Sequence, residues 1–280
     1  MSFTHWLRDL FNRGKPIIPD LLWQSCATSL PFLKRLTPDE LARLKALCET
    51  FLQRKSIIGA AGLEVSNEIA VLIAMQASLL VLNLTLDLYD DMPGVIVYPS
   101  EFIVPHSEMD EAGVVHEWRE PLAGEAITAG GAVVLSWEDI ERADTFGIGY
   151  NVVIHEFAHK IDMERGAANG CPPFLPAFHR SIDARHWQRA FSAAYQDFTR
   201  KADAWDRCAP RDANWCGDLP LDPYAADNPG EFFAVASEAF FLTPKPLAAA
   251  YPQIYRLLAD YYRQETLDAP STDLLSDTAT

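Results

Sequence analysis

The stretch Tyr150–Met163, reading YNVVIHEFAHKIDM, sets the terms for the whole chain. Val152, Val153, Ile154, Phe157, Ala158 and Ile161 surround three polar residues, so a helix built from this stretch must be buried. His155, Glu156 and His159 go inside with it, and a buried imidazole or carboxylate needs a partner there. The spacing suggests which. Residues four apart lie on one helical face, so both imidazoles of His155-Glu156-Phe157-Ala158-His159 can reach one metal ion while Glu156 points at a water on it. This is the layout of a metal-assisted hydrolase. The plainer alternative is a core helix with satisfied histidines.

Composition narrows the setting. With 280 residues, 49% of them hydrophobic, the chain has ample material for a real core. It shows no internal repeat and no Gly/Ser linker, so a single domain over residues 1–267 is expected. Residues 268–280 lack a packing stripe and read as a disordered tail. The net charge of −16, from 23 basic and 39 acidic residues, disfavours direct binding of nucleic acid or an anionic membrane, partners that require clustered Lys and Arg. The five cysteines are odd in number and form no C-x-x-C, which indicates neither a disulfide framework nor a cysteine metal site and fits a reducing compartment. The N-terminus lacks the apolar core of a secretory signal. The most apolar run, Ile69–Leu84, includes Gln76, Ser78 and Asn83 and falls short of the ~20 residues needed to span a bilayer. A cytoplasmic protein without membrane association is expected.

Along the chain, residues 3–14 suit a short amphipathic helix. Thr37-Pro38-Asp39-Glu40 reads as a capping box opening a helix to about Gln53, and Ser66 opens a buried one. A β-rich section follows: Val95–Tyr98, Phe102–Val104 and Ala132–Leu135 read as strands, with residues 105–130 a loop or hairpin. Ser136 can cap a short helix before the central one. After a loop over Gly166–Pro176, helix returns at Ala184–Arg200, Lys201–Pro223 reads as irregular, and a helix starts near Pro229 and is stopped by Pro244. A last helix fits Ile254–Gln264. The class is α+β, a small sheet packed against the H-E-x-x-H helix with a mainly helical remainder.

Two histidines do not complete a catalytic zinc site, which takes three protein ligands and keeps a position for water. Asp162 and Arg165 stand where a metzincin would carry its Gly and third His, so a carboxylate from another helix is the expected third ligand. Glu231 and Glu238 are the candidates. Seven residues apart, they lie two turns apart on one face of an apolar helix. Glu231 also suits the first turn of a helix without any metal. Asp162, on the same face as His159, can hydrogen-bond a ligand imidazole or cap a local turn.

The string HEFAHKIDMERG with YAADNPGEFFAVASEAFF downstream, together with GVIVYP, GVVHEWR and VVLSWEDI, resembles the Mlc titration factor A family of bacterial zinc metallopeptidases over most of residues 35–260. The resemblance implies a gluzincin-type, zincin-like domain similar to the catalytic domain of anthrax lethal factor. It implies Zn2+ bound by His155, His159 and Glu231, Glu156 as general base, and Tyr224, seven residues before Glu231, beside the metal as an oxyanion-stabilising group. It also brings His116, in GVVHEWR, near the metal as a fourth protein ligand that would make a resting form latent. A cytoplasmic peptidase follows, acting on peptide or protein substrates and in character an aminopeptidase. A further partner is an Mlc-like transcriptional repressor in glucose and phosphotransferase-system regulation. A regulator-binding protein with a latent metal site is the competing reading. The strand Ala132–Leu135, if it lies at the sheet edge, can pair with an extended substrate.

Overall fold

Several helices in this chain begin where a short polar side chain takes up the free N–H groups of the first turn, and others begin at a proline. In chain order they are α1 (Asp20–Thr28), α2 (Pro38–Arg54), α3 (Asn67–Leu80), α4 (Trp137–Arg142), α5 (Val152–Asp162), α6 (Ala184–Cys208), α7 (Pro229–Leu242), α8 (Pro244–Ala250) and α9 (Pro252–Tyr262). The computed structural model describes residues 18–100, 131–142, 149–207 and 219–267 fully, and the backbone of 102–109, 115–122, 124–126 and 208. Thr37 and Glu40 form the expected capping box on α2, Ser66 accepts from Ile69 N–H on α3, and Asn151 and Asn228 cap α5 and α7. The suggested helix at 3–14 and the tail at 268–280 lie outside the described residues.

The strands are β1 (Ser56–Gly59), β2 (Gly94–Tyr98), β3 (Phe102–Met109), β4 (Val115–Leu122), β5 (Gly124–Ala126) and β6 (Val133–Ser136). Four of them form one sheet in the order β1-β2-β6-β5. β1, β2 and β6 run parallel, with Ile57 beside Val95 and Val95 beside Val133, and β5 closes the sheet antiparallel to β6. The β3–β4 pair is an antiparallel hairpin in register from Phe102–Leu122 to Met109–Val115. Much of the segment expected to be loop or hairpin is therefore two eight-residue strands. β6 lies between β2 and β5, so the condition of an edge position for Ala132–Leu135 is not met, and the edge on that side belongs to β5.

Other boundaries moved for local reasons. α6 continues through Lys201 to Cys208 because the charged residues form a helical face: Lys201 pairs with Asp197 one turn back, and Ala202 is buried. Pro244 does end α7, but it also occupies the first turn of α8, where its missing N–H costs nothing. The last helix starts at Pro252 and ends at Tyr262, two residues earlier than expected at each end. The sequence pattern predicts neither α1 nor β1.

A continuous hydrophobic cluster extends from Ile18 to Tyr262, and α5 runs through it with all eleven residues buried. Phe157 on its inner side packs against Phe51 at 5.7 Å and Tyr89 at 5.1 Å between ring centroids. α7 is buried on nearly every side as well, from Phe232 to Phe241. Two core helices thus face each other, and the polar residues they carry meet in a place that water barely reaches. The long apolar run resolves into the 14-residue α3. Among the described residues no helix is long and apolar enough to cross a membrane.

Candidate metal centre

α5 and α7 pack together, and their polar side chains converge. The Nε2 atoms of His155 and His159 are 3.1 Å apart, and Glu231 Oε2 lies 3.0 Å from the first and 3.1 Å from the second. Tetrahedral ligands at the usual zinc distances of ~2.0–2.1 Å are spaced about 3.3 Å from one another, so this triangle is nearly the size one ion requires. The donor set fits. Its charge points the same way: Glu156, Glu231 and Glu238 surround two imidazoles in a buried site, an arrangement that calls for a cation.

Each imidazole is aimed by its surroundings. His155 Nδ1 donates to Glu238 Oε1 at 2.7 Å, which leaves the Nε2 lone pair facing the triangle. Glu238, 2% exposed, also accepts from the backbone N–H of Asn151 through its other oxygen. Asn151 in turn caps α5 through Ile154 N–H at 2.9 Å and donates to Gln76 Oε1 at 2.6 Å. A chain of hydrogen bonds therefore links α7, α5 and α3 behind the ligand face. Neither Asn151 nor Gln76 stood out as a site residue in sequence, although an Asn just before an apolar helix is an N-cap signal.

Glu231 is presented by the first turn of α7. Asn228 Oδ1 accepts from Gly230 N–H at 2.9 Å and from Glu231 N–H at 3.1 Å, fixing the backbone from which the carboxylate projects. Against burial, which would raise it, the two imidazoles beside it bring the Glu231 carboxyl down to about 2. Glu156 behaves oppositely. Burial pushes its carboxyl up despite the neighbouring imidazoles, and its Oε2 is buried with no partner among the described residues.

Tyr224 sits in a 3-10 turn over Pro223–Ala226, with its ring centroid 6.0 Å from that of His155 and about half its surface, 48%, exposed. Asp162 does not reach His159. Its Oδ2 accepts from the N–H groups of Asn169 and Gly170, both at 2.7 Å, so of the two roles open to it the local turn is the one adopted. His116 lies on β4, where its backbone pairs with Glu108, and its side chain falls outside the described residues.

Comparison with known proteins agrees with this chemistry. The family model for the glucose-regulated metallo-peptidase M90 matches residues 3–263. The chain belongs to that family. A relative, Mlc titration factor A of Salmonella arizonae, is 34% identical over 247 residues, 88% of this chain and 92% of that protein. The Salmonella gallinarum protein of the same name is 34% identical over 240 residues, 85% of this chain and 84% of its own. A Synechocystis protein, "Uncharacterized protein slr2042", is 34% identical over 277 residues, 95% of this chain and 92% of that one. Membership in M90 makes this a metallopeptidase-family chain with the α+β, zincin-like architecture described above.

Proposed function

We propose that the protein is a zinc-dependent peptidase of the cytoplasm, built as one domain over residues 1–267, with His155, His159 and Glu231 as metal ligands. The observation that carries the reading is the triangle of two imidazole nitrogens and one carboxylate oxygen, 3.0–3.1 Å on each side, between two buried helices. Zinc held there supplies Lewis acidity toward a water and a scissile carbonyl. Glu156 is the general base. Its buried oxygen without a partner among the described residues has a lone pair to spare, and the proton affinity that burial gives it suits a group that takes a proton from water and passes it to the leaving amine. Glu238 keeps His155 in the tautomer that presents Nε2 to the metal. The Tyr224 phenol, beside His155, donates to the oxygen that gains charge as the tetrahedral stage forms.

An extended peptide would lie along the free edge of β5, antiparallel to β6 and beside α5. Aminopeptidase action is the finer form of the proposal. His116 enters by family resemblance as a fourth ligand that occupies the resting site and yields to substrate. A second reading is supported by the relatives' name, Mlc titration factor A: binding of an Mlc-like repressor, with the metal site latent. Glu156→Gln separates the two. It should retain zinc and any repressor binding while hydrolysis of chromogenic peptides falls by about 100-fold or more; full hydrolysis by this variant would overturn the catalytic assignment.

A further inference from the structure

The turn that follows α5 touches both helices that carry the candidate metal ligands, α5 and α7, and α6 beside them. It begins at Gly166 and ends at Cys171, with Gly170 in the left-handed region at φ +77°. On the α5 side, Asp162 Oδ2 receives the N–H groups of both Asn169 and Gly170 at 2.7 Å. On the α6 side, the fully buried Trp187 donates its indole N–H to Gly170 O at 2.8 Å. On the α7 side the contact is steric. A Cβ at Gly170 would stand 2.6 Å from Pro229 O, and one at Gly230 would stand 3.0 Å from the Cβ of Ala168. The turn is wedged against the first residues of α7, one step before Glu231.

We infer that residues 166–171 act as a spacer setting the separation of the two metal-bearing helices, with Asp162 and Gly170 as its positioning residues. The inference rests on the metal-centre reading above. Its logic is rigidity on both sides of a narrow gap. Asp162 is three residues past His159 on the same helix, so the turn is referenced directly to the histidines. Pro229 is two residues before Glu231 and is followed by N–H groups held by Asn228, so a push on its carbonyl moves the Glu231 backbone rather than a loose loop. The indole of Trp187 blocks retreat of the turn toward α6. With triangle edges of 3.0–3.1 Å, a displacement of a few tenths of an ångström at Pro229 is enough to take Glu231 out of register with the two imidazoles.

The test is zinc affinity, measured by competition with a chromogenic chelator, alongside the Co2+ absorption spectrum and the unfolding midpoint of the metal-free protein. Gly170→Ala and Asp162→Ala should each raise the zinc Kd by about tenfold or more and alter the Co2+ spectrum. Asp162→Asn should stay close to wild type, because one amide oxygen can accept both N–H groups as Oδ2 does. A turn that serves stability alone would lower the metal-free midpoint and leave the Kd and spectrum unmoved, which would overturn the inference while leaving the metal centre standing. Loss of affinity in Asp162→Asn equal to that in Asp162→Ala would overturn the hydrogen-bond role given to Asp162. Absence of zinc uptake by the wild-type protein would overturn the metal-centre reading and the inference with it. Should Gly170→Ala fail to fold, Gly230→Ala probes the same seam through a softer overlap and carries the same expectation.

Discussion

Glu238→Gln is nearly isosteric, yet the site has no way to accommodate it. Glu238 meets two donors: His155 Nδ1–H at 2.7 Å on one oxygen and the Asn151 backbone N–H on the other. A glutamine has one acceptor and one NH2 group, so it must turn a donor toward one of the two. If the NH2 faces Asn151, a buried amide loses its partner at the entrance of α5, at a cost of about 1–3 kcal/mol. If it faces His155, the imidazole must take its proton on Nε2 to accept from it, and the metal-facing lone pair is lost. The second arrangement spares the backbone amide and is the one expected. Zinc Kd should then rise about 10–100-fold, equivalent to about 1.4–2.7 kcal/mol. Chelator competition gives the Kd, and urea unfolding with and without EDTA apportions the effect between site and scaffold. A variant whose zinc Kd lies within about twofold of wild type, with unfolding free energy unchanged to about 0.5 kcal/mol, would refute the reasoning.

Other predictions follow from the same geometry. Tyr224→Phe should lower kcat strongly at nearly constant KM and full zinc content, since in the proposed role the phenol acts on charge that develops only during reaction; a rise in KM alone would make it a packing residue. His116→Ala should keep zinc and raise basal peptidase turnover, and equal or lower turnover at full zinc would rule out the proposed inhibitory role. His179 is locked neutral, accepting from Leu175 N–H on Nδ1 and donating from Nε2 to Tyr261 O, both at 2.9 Å, and burial lowers its proton affinity below the ordinary 6.5. The unfolded chain therefore binds the proton first, and stability is lost as pH falls below about 6.5 toward the folded-state value. His179→Gln should flatten that part of the stability profile; an unchanged slope between pH 7 and 5 would show that the imidazole is not responsible.

What could be foreseen from sequence follows the reach of each interaction. Capped helices were readable because Thr37, Ser66 and Asn228 act within three residues of themselves. α1 escaped notice because Pro19 at its N-cap offers no side-chain hydrogen bond. β1 escaped because only Ile57 of its four residues is buried, leaving no alternation to detect. At the site, the facing of His155 and His159 is a property of one helix and was legible. The convergence of Glu231 upon them is tertiary, and sequence alone could not choose it over Glu238. Both glutamates turn out to meet His155, one on each ring nitrogen. Asp162 had two local options, and the choice depended on where residues 169 and 170 came to lie, which no pattern announces.

The sides of the metal triangle differ greatly in sequence span. His155 and His159 are four residues apart, whereas His159 and Glu231 are separated by 72. Holding those two points together in an otherwise unfolded chain costs loop entropy, and by the relation used for covalent cross-links a closure of that length corresponds to about 4 kcal/mol. A metal bound at this centre is therefore a removable staple across α6 and everything between the two helices. On the proposed reading, loss of the ion would remove that constraint and raise the population of opened forms that a protease can attack, so the metal would govern the protein's lifetime as well as its proposed activity.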